Sequence, residues 1–193
     1  MLPSAAVLRA CLVECPQLWR RQQRVGTACG ISVSAFNALA PPCTEARSYQ
    51  LWQFGHTALS AGCGWGVLGL PAAARNGGAL VEGTVRARAT QRGTCHAVAA
   101  WIDFRYAAGR DDDADDAAGG LRVRTGPLSA AEEGALFQPT PWAQALLFLP
   151  EPAEVGRGED VEVRLKLDLL RGGALSGGLV SSAKFPEERS HST

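Results

Sequence analysis

The sequence has little of what several large function classes need. Its 193 residues carry 19 basic and 19 acidic side chains, so no net positive charge favours nucleic acid or an anionic membrane. No apolar run reaches the roughly 18 residues of a membrane-spanning helix. The opening residues lack a basic signal region, and Arg9 interrupts the first apolar stretch. These absences predict a soluble cytoplasmic or nuclear protein with no nucleic-acid or membrane partner.

Residue types that commonly carry chemistry are also sparse. No Cys-x-x-Cys pair occurs, and adjacent Cys95 and His96 would point to opposite faces of a strand, so a zinc site is not predicted. The intracellular setting predicts reduced thiols. No Gly-x-Ser-x-Gly elbow accompanies the three histidines, and His56 and His96 are interpreted as ordinary polar residues at the edge of a β core. The cysteines are Cys11, Cys15, Cys29, Cys43, Cys63 and Cys95.

Alternating apolar and polar residues dominate the rest of the chain. Residues 80–89 and 161–169 show the period of two expected of half-buried strands. Residues 96–106 follow a Gln-Arg-Gly turn and are predicted to form a hairpin with 80–89. Further strands are predicted at 2–13, 121–123 and 143–149. The pattern predicts a mainly β fold, an antiparallel barrel or sandwich, and it offers no glycine-rich turn as a nucleotide cradle.

Three segments depart from this pattern. Residues 16–40 read as a short helical arm with a loop, ended by Gly26 and Gly30. Residues 110–120 form an acidic run that lacks the ligand spacing of a calcium loop, so a solvated loop is predicted. Residues 172–193 lack a pattern able to bury itself and are predicted to be a flexible tail after a single domain over 1–171.

The most informative stretch spans residues 137–155. A loop with two prolines, Pro139 and Pro141, precedes Trp142, which begins an apolar strand that ends in a Pro-Glu-Pro turn. From the residues alone, the favoured interpretation is a tryptophan that plugs one end of a barrel.

The order of several motifs resembles the C-terminal half of the protein arginine N-methyltransferases, type I-like. That half carries a Thr-His-Trp loop followed by a strand bearing lysine or glutamine, a short acidic turn and a "V-x-x-G-D" step, after an "H-x-x-x-x-W-F-x-V" strand and an "S-T-x-P" corner. The resemblance covers about residues 1–169 and is strong after Gly93. The matching residues are Leu2-Pro3 with Ala6, Leu18-Trp19, Gly30 to Ser34, His96 to Phe104, Arg124 to Pro127, Thr140 to Trp142, Gln144, Glu151-Pro152, Val155 and Gly158 to Val161.

The resemblance implies a β-barrel with a dimerisation arm, an arginine-containing protein substrate, and Thr140 and Trp142 as substrate-binding residues. In the family, S-adenosylmethionine and the catalytic glutamates lie in a Rossmann-like half that would precede Met1. We therefore expect this chain alone to bind no cofactor and to be inactive. Two departures from the family pattern also matter. Pro141 replaces the family's histidine, and Ser32 replaces an aspartate of the arm.

Two other interpretations stay open. The chain could be a non-catalytic scaffold that self-associates through its arm as a homodimer or pairs with an intact methyltransferase. It could also be a plain β-barrel with an unrelated ligand pocket, which a fully buried Trp142 would favour.

Overall fold

The computed structural model describes residues 3–37, 45–70, 80–106, 122–127, 142–171 and 173–183. Single 3₁₀ turns lie over Leu51–Gln53 and Leu169–Arg171. In chain order the other elements are β1 (Ala5–Glu14), α1 (Pro16–Arg21), β2 (Thr27–Ala28), β3 (Ile31–Ser32), α2 (Ser34–Asn37), β4 (Arg47–Tyr49), β5 (Thr57–Ala58), β6 (Cys63–Gly69), β7 (Leu80–Arg88), β8 (Gly93–Arg105), β9 (Arg122–Val123), β10 (Gln144–Val155), β11 (Asp160–Asp168) and β12 (Ala174–Ala183).

The strands form two main antiparallel sheets. The larger sheet has the order β4-β10-β8-β1-β5, with β6 also paired to β1 and β9 to β8. The smaller sheet has the order β12-β11-β7, and β2 and β3 form a separate hairpin. This arrangement confirms the predicted mainly β, antiparallel, sandwich-like fold.

Strand β1 is buried on both faces, which explains its nearly continuous apolar sequence. One face contributes Leu8 and Leu12 to the core between the two sheets. The other face contributes Cys11 and Val13 to a second core, which Leu18 of α1 covers from outside. We call the sides of the larger sheet its inner and outer faces accordingly.

The smaller sheet has one buried face and one exposed face. Val161, Val163 and Leu165 of β11 are buried, as their alternation predicts. On the exposed face, Lys166 Nζ lies 2.9 Å from Glu82 Oε1 of β7. The strands predicted at 80–89 and 161–169 are therefore confirmed.

The two sheets also meet at their edges. Isolated bridges join Ser60 to Ala89 and Glu45 to Ser176. Strand β7 approaches β6 so closely that a Cβ placed on Gly83 would lie 2.4 Å from the main-chain oxygen of Trp65. Glycine at position 83 is what permits this approach.

The predicted hairpin between residues 80–89 and 96–106 is wrong. Both strands exist, but β7 pairs along its whole length with β11. The chain changes sheets after β7: Ala89 N donates to Glu159 O at 2.8 Å, and Thr90 N donates to Leu59 O at 2.8 Å. Strand β8 then enters the larger sheet between β1 and β10. The alternation fixed which faces are buried but did not specify the partner strand.

Two further predictions need correction. The predicted flexible tail is wrong for residues 174–183, which form β12 and pair with β11. The predicted Pro-Glu-Pro turn is also wrong, because β10 continues through Pro150 and Pro152. Its pairing with β8 shifts between Phe148 and Ala153. Prolines are tolerated in such an irregular stretch because it lacks regular ladder hydrogen bonds. The rest of the tail, 184–193, lies outside the described residues, and the domain boundary at residue 171 stays a prediction.

The arm contains more than a helix and a loop. Helix α1 ends at Arg21, so the prediction that Gly26 and Gly30 end it is wrong. Gly30 instead turns the β2–β3 hairpin, where Cys29 and Gly30 have φ values of 49° and 78°. Residues 38–40 of the arm and the acidic run at 110–120 lie outside the described residues. Within the described ranges, no helix has the length and hydropathy to cross a membrane.

Candidate functional site

A buried carboxylate organises the outer face of the larger sheet. Asp103 on β8 is 4% exposed, and its Oδ2 lies 3.1 Å from Nε of Arg9 on β1. Its Oδ1 accepts hydrogen bonds from Trp101 Nε1 at 3.1 Å and from Thr125 N at 3.3 Å. The strand register explains the cluster, because β1 pairs Arg9 with Trp101, and Asp103 lies two residues further on the same face. A buried charge requires such partners.

Gln144 connects this cluster to the start of β10. The side chain is 2% exposed, and its Nε2 donates to Thr125 O at 2.8 Å and to Trp142 O at 3.2 Å. Its Oε1 accepts from Leu51 N at 3.1 Å. The Gln144 amide therefore hydrogen bonds to two other segments and to its own, and it fixes the backbone from which the Trp142 side chain projects.

Trp142 lies at the entry to β10 and is 46% exposed. Its ring centroid is 6.3 Å from that of Phe104, with the planes tilted by 49°. Phe104 packs against the core between the sheets, so Trp142 lies over one end of that core. Because Trp142 is half exposed, the condition that would favour an unrelated barrel with a buried tryptophan is not met. Thr140 and Pro141 lie outside the described residues.

The two described histidines occupy separate settings. His96 is 7% exposed and meets the Trp19 ring edge to face at 5.8 Å between centroids. Trp19 in turn donates from Nε1 to Leu149 O at 2.8 Å, which fastens α1 to the sheet. His56 Nδ1 lies 2.9 Å from Phe54 O in the loop before β5. The contact of His96 with Trp19 and the contact of His56 with Phe54 O each stabilise local structure.

The buried thiols are poor nucleophiles. Burial raises the pKa of Cys11 and of Cys15 to about 12, and it raises the pKa of Cys95 to about 11. These side chains stay protonated at neutral pH, and the thiolate is the reactive form. The described cysteines, Cys11, Cys15, Cys29, Cys63 and Cys95, are free thiols.

The described residues do not fit S-adenosylmethionine. Helices α1 and α2 are short, with six and four residues, and the strand pairs of the two main sheets are antiparallel. A nucleotide-like cofactor is usually held where a parallel strand turns into a helix through a glycine-rich loop. In the same part of the chain, no group of three histidine, cysteine, aspartate or glutamate side chains is arranged to hold a metal ion.

Sequence reasoning missed most of the cluster that Asp103 forms with Arg9, Trp101 and Thr125. The resemblance pointed to Trp142, Gln144 and the segment around Thr125, which the structure brings together. It gave no role to Arg9 or Asp103. A signal was available, because Arg9 and Asp103 each place a charge in an otherwise apolar strand. Charged side chains are almost never fully buried unless they are paired, so each of the two should have a partner.

Comparison with known proteins supports the fold. No protein-family model matches the sequence, and neither does any curated protein. Among solved structures, the fold is similar to that of a chain in the Trypanosoma brucei PRMT1 enzyme-prozyme heterotetrameric complex with AdoHcy, with a TM-score of 0.59 and 20% sequence identity. The match covers 86% of this chain and 47% of that one, so this chain spans about half the length of that relative.

Proposed function

We propose that this chain is the substrate-binding and dimerisation β portion of a protein arginine N-methyltransferase. The observation that carries the proposal is the likeness of fold over 86% of the chain to a chain of the trypanosome complex. AdoHcy, named in that complex, is what S-adenosylmethionine becomes when it donates its methyl group. The described residues do not fit that cofactor, so we assign the methyl donor and the catalytic carboxylates to the Rossmann-like half of the family.

The exposed indole of Trp142 suits the role of a wall for an arginine substrate. A guanidinium packs favourably on an aromatic face, and Phe104 supports the ring from the core side. Thr140, two residues earlier in the sequence, is the proposed polar partner for the substrate. Pro141 can neither donate a hydrogen bond nor carry charge, so substrate binding should be weaker than with the family's histidine.

Calorimetry with purified protein tests the proposal. We expect the chain to bind an arginine- and glycine-rich peptide weakly, and Trp142→Ala to weaken that binding about fivefold, the scale of one exposed cation–π contact. Trp52→Ala is the matched control, because Trp52 is also partly exposed, at 36%. We expect no binding of S-adenosylmethionine and no methyl transfer by this chain alone. Peptide binding unaffected by Trp142→Ala, or clear cofactor binding, would contradict the proposal.

A second candidate function is association through the arm, as a scaffold for a second copy or for an intact methyltransferase. Three apolar side chains of the arm are strongly exposed: Val25 at 52%, Ile31 at 69% and Phe36 at 72%. Clustered exposed apolar groups mark interaction surfaces. The heterotetrameric state named for the trypanosome complex favours the same interpretation. Ser32, in place of the family's aspartate, weakens the expected association.

Sedimentation equilibrium tests this second candidate. We expect the wild-type chain to form a dimer at high concentration, and Phe36→Ser to raise the dissociation constant about tenfold or more, because a buried aromatic anchor is lost. Val67→Ser is the matched control, since Val67 is 62% exposed on β6, away from the arm. A wild-type chain that stays monomeric, or equal effects of the two substitutions, would argue against association through the arm.

A further inference from the structure

The arm carries a local excess of positive charge in a chain whose net charge is zero. Residues 16–44 include Arg20, Arg21 and Arg24 but no aspartate or glutamate. All three arginine side chains are exposed. Like charges that lie close together repel one another and attract opposite charge. The arm therefore presents a positively charged surface to a partner.

The described residues supply no carboxylate to these arginines. Arg20 and Arg24 form no ion pair with any of them. Arg21 packs over the ring of Phe54, with its guanidinium carbon 5.5 Å from the ring centroid. That contact uses the flat face of the guanidinium, so its N–H donors stay available. An arginine fork can donate two parallel hydrogen bonds to one carboxylate, and the surface therefore suits a partner rich in carboxylates.

Exposed apolar side chains lie beside the arginines. Val25 follows Arg24 directly, and Asn37 Nδ2 of α2 donates to Val25 O at 3.0 Å. This hydrogen bond holds α2, with the exposed Phe36, next to the basic segment. A partner must therefore bring both carboxylates and apolar groups. We call this surface the arm face: Arg20, Arg21, Arg24, Val25 and Phe36.

The acidic run at residues 110–120 is the obvious source of carboxylates in this chain. Five aspartates stand within residues 111–116, and the remaining residues from 111 to 120 are alanine and glycine. The run of the same molecule could neutralise the arginines, but it has no large apolar side chain to cover Val25 and Phe36. A second copy can bring its acidic run together with a folded surface, and it therefore meets both needs.

We propose that the arm face binds the acidic run of a second copy of this chain. Each copy has one arm face and one acidic run, so a two-fold dimer makes the contact twice and closes the assembly. The inference rests on the second candidate function, association through the arm, and names what the arm recognises. It does not depend on the proposed methyltransferase role.

The salt dependence of sedimentation equilibrium gives the first test, on the wild-type chain. Between 0.1 M and 1 M sodium chloride the Debye length falls from about 10 Å to about 3 Å, so attraction between exposed charges is largely screened. We expect the dissociation constant of the dimer to rise about tenfold over this range. Contact between apolar groups alone would not weaken with salt. An unchanged or smaller dissociation constant in 1 M salt would overturn the proposal.

An exchange of charges gives the second test. The arm variant carries Arg20→Glu with Arg24→Glu, and the run variant carries Asp111→Arg, Asp113→Arg and Asp115→Arg. Each variant alone should dimerise at least about tenfold more weakly than the wild type, because like charges then meet in both contacts. An equimolar mixture should restore association to within about threefold of the wild type, because both contacts of the mixed dimer again join opposite charges.

The matched control is the double substitution Arg157→Glu with Arg164→Glu. Both side chains are exposed and lie outside the arm face, and the change in charge equals that of the arm variant. The control should leave the dissociation constant unchanged. Far-ultraviolet circular dichroism should show the same fold for every variant, because the described side chains that are replaced are exposed.

The possible results separate this inference from association through the arm itself. If the mixture does not restore the dimer although Phe36→Ser still weakens the wild-type one, the acidic run is not the partner and association through the arm stands. A wild-type chain that stays monomeric would overturn both. Binding of a single-stranded RNA oligonucleotide that is lost in the arm variant, without a restored dimer in the mixture, would assign the arm face to nucleic acid and overturn the proposal.

Discussion

Replacement of Asp103 by alanine should lower the free energy of unfolding by about 3 kcal/mol, the lower end of the range for breaking a buried ion pair. The substitution leaves Arg9, whose side chain is only 26% exposed, without its counter-charge. It also removes the acceptor for Trp101 Nε1 and Thr125 N. The lower end of the range is appropriate because Arg9 keeps some access to water.

Urea unfolding, followed by far-ultraviolet circular dichroism, measures this effect. The control is Glu82→Ala, which breaks the Glu82–Lys166 pair on the exposed face of the smaller sheet. Those side chains are 58% and 46% exposed, so the loss should stay below about 1 kcal/mol. The double substitution Arg9→Met with Asp103→Leu should recover much of the stability, because neither charge is then left alone. Similar losses for Asp103→Ala and Glu82→Ala would refute this account of the outer face.

Gly83→Ala should destabilise the chain by about 2 to 3 kcal/mol, although alanine normally suits a strand better than glycine. The new Cβ would lie 2.4 Å from the main-chain oxygen of Trp65. Main chain cannot rotate away as a side-chain tip can, so β6 and β7 would have to separate. That movement would loosen the edge at which the two sheets meet.

Gly64→Ala is the matched control for this prediction. Gly64 also lies in a strand, β6, and a Cβ there meets no atom within 4 Å. The control should be neutral or slightly stabilising, because alanine restricts the unfolded chain. Thermal unfolding of both variants gives the comparison. An unchanged melting temperature for Gly83→Ala would show that the two strands can separate at little cost.

The sequence contained more information about strands than about their partners. Strands β7, β8 and β11 were predictable because alternation reports which face is buried. Alternation does not report which strand lies alongside, so the partner of β7 was misassigned to its neighbour in sequence. Strand β12 was missed because it is rich in small residues and has no strong alternation. Its pairing with β11 involves Gly177, where a Cβ would meet the Arg164 carbonyl oxygen.

The candidate site was likewise only partly predictable from the sequence. Trp142 and Gln144 could be selected because they stand in a recognisable motif. The pairing of Arg9 with Asp103 could not, because the two residues are far apart in sequence and only the β1–β8 register brings them together. A charge in an apolar strand marks Arg9 and Asp103 singly, but no local pattern in the sequence marks them as partners.

The pairing of β1 with β8 also constrains the order of folding. Ala5 pairs with Arg105 and Val13 with Ala97, so the chain must close a very long loop before β1 can form this ladder. During synthesis, β5 and β6 leave the ribosome before β8 and can pair with one edge of β1, but the edge that faces β8 stays unpaired until later. Folds with strand pairs far apart in sequence fold slowly and expose aggregation-prone intermediates. The larger sheet of this fold is therefore completed only after its central strand, β8, has been made.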